Sequence, residues 1–322
     1  MCEANNTRVS EVVLHGFQNL NKYNIVFFCV VLLIYIVILV GNLLIITLIS
    51  VSYHLKHPMY FFLKHLSVVD VLFTSNIVPA LLHVILWGLS HLSITACIFQ
   101  YYVHSFLAFI QSFLLTVMAY DRYVAICDPL HYFALMTTKT CNYLVCFSWI
   151  FSYILISCET IFLYQLQYCN SNYIDHFFCD IAPILQIATS DTFIIVWIDF
   201  VICCLTIFFP FLFVIGSYTC IFVNILKMSS VIVRKKAFST CSSHLLIVCL
   251  YYGTLIAIYA MPSGDNSHNE NKFKSLIYIV LTPFINPIIY SLRNKEIMEG
   301  LKKLIGQHVW AKIAFGSFFS FK

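Results

Sequence analysis

The 322-residue chain is 61% hydrophobic and only 10% charged, with a formal net charge of +4. Soluble globular domains are roughly half apolar and about a quarter charged, so these values exclude an ordinary water-soluble fold. The basic residues are divided among short loops rather than gathered on one face, which argues against nucleic acid as a partner. We therefore expect a single polytopic bundle whose partner is the lipid bilayer.

Seven apolar segments are long enough to cross a membrane, because a spanning helix needs ~20 mostly apolar residues. The first is too long for a cleavable signal peptide. The predicted fold class is an all-α membrane protein with seven transmembrane helices. We expect an N-terminal segment at 1–24, the bundle at 25–292 and an inner segment at 293–322. The predicted spans are 25–50, 58–86, 97–127, 141–164, 193–226, 238–261 and 273–292.

Lysine and arginine are concentrated on one side of this topology, which predicts an N-terminus outside the cell and a plasma-membrane location. Asn5, in the N-x-Thr sequence Asn5-Asn6-Thr7, is then a candidate glycosylation site. After the seventh span we predict a short amphipathic eighth helix at the membrane surface. Its apolar face would hold Ile297, Leu301, Leu304 and Ile305, opposite Lys302 and Lys303.

The 14 cysteines are scattered through apolar segments without CxxC pairs or zinc-spaced clusters. Most are therefore expected to be small buried apolar side chains, and neither a metal nor a cofactor is expected. The chain also lacks GxSxG, HExxH and phosphate-loop patterns, so we do not expect an enzyme.

Residues 118–127, at the inner end of the third span, read MAYDRYVAIC. By themselves, Asp121 and Arg122 fit two interpretations equally well: a charge pair with a function, and a snorkelling pair at a helix end. In this context the segment resembles the DRY motif of rhodopsin-like receptors, and its flanks resemble the signature of vertebrate odorant receptors. Further matches follow in the family's order: Gly41-Asn42, PMYFFL at 58–63 with Leu66-Ser67 and Asp70, Ser217-Tyr218, KAFSTCSSHL at 236–245 and NPIIYSLRN at 286–294.

The resemblance implies a G-protein-coupled receptor that binds a small-molecule odorant and activates a stimulatory heterotrimeric G protein, raising cyclic AMP. An agonist would stabilise the state in which the inner end of the sixth span moves outward. The G protein would then engage Arg122, the loop 128–140 and the basic stretch 234–236. The coupling and activation residues that the resemblance implies are Asp121, Arg122, Tyr123, Tyr218, Asn286, Pro287 and Tyr290.

Asn42, Asp70 and Asn286 are polar groups within apolar helices, so each should face the bundle interior. The resemblance implies a polar centre at these positions, sometimes with a bound sodium ion. This chain departs from the family at Gln111, where odorant receptors commonly have Glu. Since one negative charge is missing, we expect cation binding to be weaker than with two carboxylates, and we assign no metal site.

The resemblance also implies a disulfide between Cys97 and Cys179 at the outer face, where oxidising conditions favour it. A second loop disulfide is usual in the family, but the expected partner of Cys169 is replaced by Thr189. Cys169 is therefore expected to be either unpaired or paired differently.

A stripe at helical spacing in the third span is expected to face the bundle interior. The resemblance implies that residues from the fifth to seventh spans complete the candidate ligand site with it. Because this lining carries no fixed charge, it predicts a neutral and largely apolar odorant. The facing of Glu159 and Asp199 is left open. The candidate lining is His104, Ser105, Ala108, Phe109, Ser112, Ile202, Cys203, Thr206, Tyr252, Leu255, Ile256, Tyr259, Leu276 and Ile279.

A small transporter or channel is the main alternative, because it would also explain an intramembrane Asp70 and kinking prolines. That class is expected to show repeated halves or paired broken helices. The sequence has no internal duplication and an odd number of predicted spans. An intramembrane enzyme is the weaker alternative.

Overall fold

The computed structural model describes residues 9–17, 23–169, 172–259, 268–293, 297–300, 302 and 306. For residues 236, 239, 240, 259, 268 and 291–293 it describes the backbone alone. Asn5, Leu301, Leu304, Ile305 and Lys303 lie outside these ranges, so the glycosylation site and most of the predicted eighth helix stay predictions. Within the described part, residues 297–300 are helical, Ile297 is buried, and Glu299 and Lys302 are exposed.

Seven long helices make up the bundle, and each is long and apolar enough to cross a membrane. This confirms the predicted fold class. In chain order the spans are Asn24–Val51, Pro58–Trp87, Ile94–Cys127, Thr138–Gln165, Phe193–Lys227, Val231–Tyr259 and His268–Arg293.

Several helices begin earlier than hydropathy predicts, because the backbone stays helical beyond the apolar stretch. The sixth begins at Val231 rather than near residue 238, and its first turns include the exposed Lys235. Two other starts are fixed by capping side chains, which satisfy free backbone N–H groups. The Ser93 hydroxyl accepts from the Ala96 N–H, and the Thr137 hydroxyl accepts from the Thr140 N–H.

A three-stranded sheet covers one end of the bundle. It consists of β1 (Glu11–His15), β2 (Leu89–Ser93) and β3 (Tyr173–Ile174), in the order β2-β1-β3. β1 is antiparallel to β2 and parallel to β3. Val12 and Leu14 alternate with more exposed neighbours and are fully buried. We call this end of the bundle the outer end and the opposite end the inner end.

A buried lysine fastens this sheet to the seventh span. The Lys272 ammonium is 0% exposed and donates to the Gly16 carbonyl at 2.8 Å and to the Asp175 carboxylate. A buried charge is stable only where such partners satisfy it. The contact therefore joins the end of β1, the loop that follows β3 and the seventh span.

The third span lies at the centre of the bundle and packs against the second, fourth, fifth and sixth spans. The first and seventh spans approach closely at Gly41, where an added Cβ would lie 3.1 Å from the Pro287 ring. The fifth span has a π-helical turn at Cys204–Phe208, directly before Pro210. Proline cannot donate a backbone hydrogen bond, so an irregular helix before Pro210 is the expected consequence.

Two short helices lie in the loops. Tyr132–Leu135 follows the third span at the inner end, and Ile181–Gln186 follows the Cys179 segment at the outer end. The Asp180 carboxylate caps the second of these by accepting from the Ile181 N–H at 2.8 Å. Hydropathy predicts neither helix, since both are short and lie outside the apolar segments.

Candidate functional site

An internal cavity of about 90 Å³ lies in the outer half of the bundle, between the third, fifth, sixth and seventh spans. The segment that follows Cys179 closes it from the outer end. Its lining combines aromatic, aliphatic and small polar side chains, as is usual for small-molecule sites. The residues around it are Tyr101, His104, Ser105, Ala108, Phe109, Ser112, Asp180, Ile181, Asp199, Cys203, Thr206, Ile207, Tyr251, Leu255 and Tyr278.

Many of the residues proposed from sequence line this cavity. The third-span stripe does so along most of its length, and the fifth and sixth spans contribute at helical spacing. The predicted residues in the lining are His104, Ser105, Ala108, Phe109, Ser112, Cys203, Thr206 and Leu255.

Other predicted positions lie elsewhere. Ile202 lines an apolar groove on the outside of the bundle, between the fourth and fifth spans. The Ile256 side chain is 47% exposed. Tyr252 is buried behind the lining, where its hydroxyl lies 3.1 Å from that of Ser112. Ile279 is packed in the main apolar core, with Leu276 beside it. For Tyr259 only the backbone is described, so the position of its side chain stays a prediction.

The sequence-based lining missed seven residues of the cavity, and helical spacing would have found several of them. Tyr101 is one turn before His104 or Ser105, Asp199 is one turn before Cys203, and Tyr251 is one turn before Leu255. Asp180 and Ile181 belong to the loop that closes the cavity, for which no periodic pattern exists. The remaining two are Ile207 and Tyr278.

The floor of the cavity is held by hydrogen bonds between spans. The Ser112 hydroxyl donates to the Thr206 carbonyl, whose usual helical partner four residues on is Pro210, which has no N–H to donate. The Tyr251 hydroxyl donates to the Ala108 carbonyl at 2.9 Å, which joins the sixth span to the third. Contacts across the cavity floor therefore connect the third, fifth and sixth spans.

Three carboxylates occur on the fourth- and fifth-span side of the cavity. Glu159 is 0% exposed and accepts from the Tyr101 hydroxyl at 2.8 Å. The Cys203 thiol donates a hydrogen bond to the Asp199 carboxylate, with 3.7 Å between the sulfur and the oxygen. Asp180 lies in the loop above them, and its pKa is raised to about 6, chiefly by burial; the Ile181 N–H bond lowers it and the nearby Asp199 carboxylate raises it.

The outer wall is fixed by a disulfide. Cys97 and Cys179 are bonded, which confirms the pairing that the resemblance implied. The Gln100 side-chain oxygen accepts from the Cys179 N–H at 3.0 Å. Phe178, the residue before this cysteine, packs against His104 with ring centroids 5.1 Å apart. The covalent link thereby holds the loop against the third span.

Cys169 is also disulfide-bonded. Ten described cysteines are free, and Cys97 is bonded to Cys179, so the partner of Cys169 lies outside the described residues. Of the two alternatives left open by Thr189, pairing with a different cysteine is the one that holds. Thr189 itself donates its hydroxyl to the Gln167 carbonyl at 3.0 Å.

A polar centre lies deeper in the bundle, around Asp70. This carboxylate is fully buried and accepts from Gln111 at 2.8 Å and from Asn286 at 2.7 Å. Asn42 donates to the Pro283 carbonyl at 3.1 Å. Asn42, Asp70, Gln111 and Asn286 therefore all face the interior. A glutamine donates where a glutamate would repel Asp70, so the two amides stabilise its charge directly.

At the inner end, Arg122 forms an ion pair with Asp121 at 2.6 Å. Tyr132, in the short inner helix, donates to the other oxygen of Asp121 at 2.8 Å. This contact ties the acid to the adjoining loop, whereas a simple snorkelling pair would extend into the membrane surface. The geometry is that of a restrained charge pair at the end of the central helix.

The tyrosines expected around Arg122 have other neighbours. The Tyr218 hydroxyl lies 2.6 Å from Nδ1 of His244, which joins the fifth and sixth spans. The Tyr290 side chain is buried and, within the described part of the chain, its hydroxyl has no hydrogen-bond partner. Tyr123 is half-buried, and Pro287 lies against the first span. The Arg122 hydrogen bonds that the structure describes go to Asp121 alone.

Among the described residues, no three or more His, Cys, Asp or Glu side chains form a group that could hold a metal ion. The distinctive features are a small cavity at the outer end, a polar centre below it and a charge pair at the inner end, all built on the third of seven spans. This arrangement defines a G-protein-coupled receptor, a class of non-enzymatic membrane signalling proteins.

Comparison with known proteins gives the family. The family model described as "Olfactory receptor" matches residues 28–308. The chain is 42% identical to human olfactory receptor 10A7 over 97% of its length and 99% of that protein. It is 41% identical to rat olfactory receptor 1468 and 43% identical to mouse olfactory receptor 5P81, in each case over 95% of this chain and 97% of the relative. The chain belongs to the olfactory receptor family.

Proposed function

We propose that the chain binds a small, largely apolar odorant in the outer cavity and in response activates a stimulatory heterotrimeric G protein, which raises cyclic AMP. The observation that carries this proposal is that one helix, the third span, both lines the cavity through Ala108 and Ser112 and ends in the Asp121–Arg122 pair. Family membership supports an odorant ligand and G-protein coupling in general.

The size and lining of the cavity support a small odorant. The cavity volume of about 90 Å³ is small compared with the ~300–1,000 Å³ of typical small-molecule pockets. The ligand would pack against Phe109, Ile207 and Leu255. The prediction of a neutral odorant rested on a lining without carboxylates, whereas Asp180 and Asp199 line this cavity. The charge of the ligand therefore depends on whether a proton or a ligand cation neutralises these carboxylates.

Activation would be a population shift. An odorant that contacts the third, fifth and sixth spans together favours whichever bundle state fits it best, in proportion to its differential affinity. The sixth span is tied to the third by the Tyr251–Ala108 bond and to the fifth by the Tyr218–His244 contact. Outward movement of its inner end would open a cleft for the G protein at Arg122, the loop 128–140 and the stretch 234–236.

We further propose that the chain resides in the plasma membrane with its N-terminus outside and with Asn5 glycosylated. The division into an N-terminal segment (1–24), a bundle (25–292) and an inner segment (293–322) belongs to the same proposal. The excess of Lys and Arg in the inner loops supports this orientation. The disulfide Cys97–Cys179 supports it as well, because disulfides persist in the oxidising extracellular environment.

The test is cyclic AMP production in cells that express the chain and are exposed to a panel of small volatiles. We expect a saturable, dose-dependent rise with at least one volatile and its loss in Arg122→Ala, with both forms counted at the cell surface. Lys56→Ala is the control, since Lys56 is an exposed basic residue at the same end of the bundle. The control should respond like the wild type.

Two outcomes would contradict the proposal. One is a complete absence of response to the panel at verified surface expression. The other is an ionic current or substrate flux that survives Arg122→Ala, because such transport would assign the bundle to the transporter or channel class.

A further inference from the structure

The carboxylates beside the cavity have no cation to balance them among the described residues. Glu159 and Asp180 both lie close enough to Asp199 to interact with it electrostatically. Two facing carboxylates repel unless a proton or a cation lies between them. The Tyr101 hydroxyl satisfies one oxygen of Glu159, but the other is buried and has no hydrogen-bond partner in the described part of the chain.

Several other acids in the described part of the protein have basic partners, as Asp175 does in Lys272. Asp121 pairs with Arg122 and Glu270 with Lys274. None of the ion pairs found among the described residues involves Glu159, Asp180 or Asp199. Burying a charge without a partner costs free energy, so a buried cluster of carboxylates is expected where a ligand cation or a proton neutralises it.

An independent feature of the same cavity also points to a ligand. His104 lines the cavity and is 5% exposed, and its Nδ1 atom has no hydrogen-bond partner within the described structure. A neutral imidazole has one nitrogen that accepts a hydrogen bond. An ammonium N–H directed at this nitrogen would satisfy it, whereas an apolar ligand would leave it without a partner.

The remaining lining suits the body of such a cation. Tyr101, Tyr251 and Tyr278 surround the cavity, and aromatic faces attract ammonium groups at short range. Phe109 and Leu255 provide apolar contacts for a short carbon chain. The volume of about 90 Å³ limits that chain to a few heavy atoms.

We propose that the outer cavity binds a small protonated amine, whose ammonium group is held by Asp199 and Asp180 with Glu159 behind them. This inference rests on the proposed odorant-receptor function and names the chemical class of its ligand. Its alternative is a proton shared between Glu159 and Asp199, which would leave the cavity suited to neutral molecules.

The experiment compares amines with neutral molecules of equal size. The probes are n-butylamine, isobutylamine and pyrrolidine against 1-butanol, isobutanol and tetrahydrofuran. We expect cyclic AMP responses to the amines at concentrations at least tenfold lower than to their neutral counterparts. Asp199→Asn and Asp180→Asn should each raise the half-maximal amine concentration at least tenfold, because either removes a charge that faces the ammonium.

Asp191→Asn is the matched control, since Asp191 is an exposed acid just before the fifth span and does not line the cavity. It should leave the amine response as in the wild type. Neutral molecules that match or exceed the amines in potency would overturn the proposal. An amine response unchanged in Asp199→Asn would overturn it as well.

A measurement without signalling separates this inference from the proposed function. Saturating n-butylamine should raise the melting temperature of the purified wild-type protein by a few degrees, because a ligand that binds the native state stabilises it. The shift should be absent in Asp199→Asn. If this shift is present but no volatile raises cyclic AMP, the coupling proposal is wrong and the amine site stands. If the shift is absent, the amine site is wrong.

Discussion

At the scale of single residues, Gln111 determines the chemistry of the polar centre. It donates to one oxygen of Asp70 while Asn286 donates to the other, so the buried carboxylate is satisfied by two amides. A carboxylate with two good donors has little need of a bound cation. The departure from the family at this one position therefore removes the reason for an ion to bind there.

Gln111→Glu should create a sodium site. The variant replaces a donor with a second carboxylate beside Asp70, and the two like charges would favour a cation between them. We expect the melting temperature of purified Gln111→Glu to be higher in sodium chloride than in choline chloride at equal ionic strength. The wild type should melt at the same temperature in both salts. Sodium stabilisation of the wild type would contradict this explanation.

Asp180 should make the stability of the protein depend on pH. Its pKa is raised to about 6 in the folded state from 3.8, chiefly by burial. The protonated form is favoured on folding, so this stabilising effect is complete below about pH 4 and is lost as the pH rises through 6. An asparagine at this position stays neutral at every pH and can still cap the Ile181–Gln186 helix.

We therefore expect Asp180→Asn to raise the melting temperature above that of the wild type by an amount that grows between pH 4 and pH 6 and is constant above pH 7. Asp191→Asn is the comparison, because Asp191 is an exposed acid in the same outer region. A melting-temperature difference between Asp180→Asn and the wild type that does not vary with pH would refute this role of burial.

Helical spacing predicted which third-span residues line the cavity, for a physical reason. Residues one turn apart on a helix face the same way, so His104, Ala108 and Ser112 reach the cavity together. Spacing alone cannot give the rotation of each neighbouring helix, which is set by packing across the bundle. Ile202 and Ile256 therefore do not line the cavity, although their neighbours Cys203 and Leu255 do.

At the scale of elements, the fifth span is irregular where it meets the cavity. Thr206 lies within the π-helical turn at Cys204–Phe208, and its carbonyl accepts from the Ser112 hydroxyl of the third span. Pro210 in the sequence predicts a kink, but it does not predict a wider turn before the proline or its partner on another helix. The partner exists only once the third and fifth spans have packed.

Ser112→Ala should destabilise the bundle more than an ordinary loss of a serine hydroxyl. It leaves the Thr206 carbonyl and the Tyr252 hydroxyl without this partner in a buried position, which costs about 1–3 kcal/mol. Ser50→Ala is the matched control, since the Ser50 hydroxyl is exposed and bonds its own helix at Ile46. Thermal melting of both variants should show a drop of several degrees for Ser112→Ala and almost none for Ser50→Ala. Equal melting temperatures would contradict the role of this contact.

The outer sheet shows a limit of element prediction from sequence. Residues 11–15 alternate in burial, yet five residues in a polar segment give too weak a signal to be recognised as a strand. Their partners, β2 and β3, are distant in sequence and just as short. The seven spans needed no partner to be recognised, because a helix in lipid satisfies its own backbone.

At the scale of the whole molecule, the third span connects the two ends of the bundle. Its outer half lines the cavity, its middle carries Gln111 at the polar centre, and its inner end carries Arg122. The sequence order of these features predicted the overall architecture and the family correctly. The loop over the cavity, with Asp180 and Ile181, was not predictable because it is held in place by a disulfide and by packing rather than by periodicity.

The central claim is that occupancy of the outer cavity controls signalling at the inner end. The direct measurement is the cyclic AMP dose response of Ala108→Leu to an agonist of the wild type, at equal surface expression. Ala108 lines the cavity, so the larger side chain would occupy the space of the ligand. Gly216→Leu is the control, because it adds bulk at an exposed position where a Cβ meets nothing within 4 Å. We expect at least a tenfold rise in the half-maximal concentration for Ala108→Leu and no change for Gly216→Leu. A wild-type dose response in Ala108→Leu would contradict the claim.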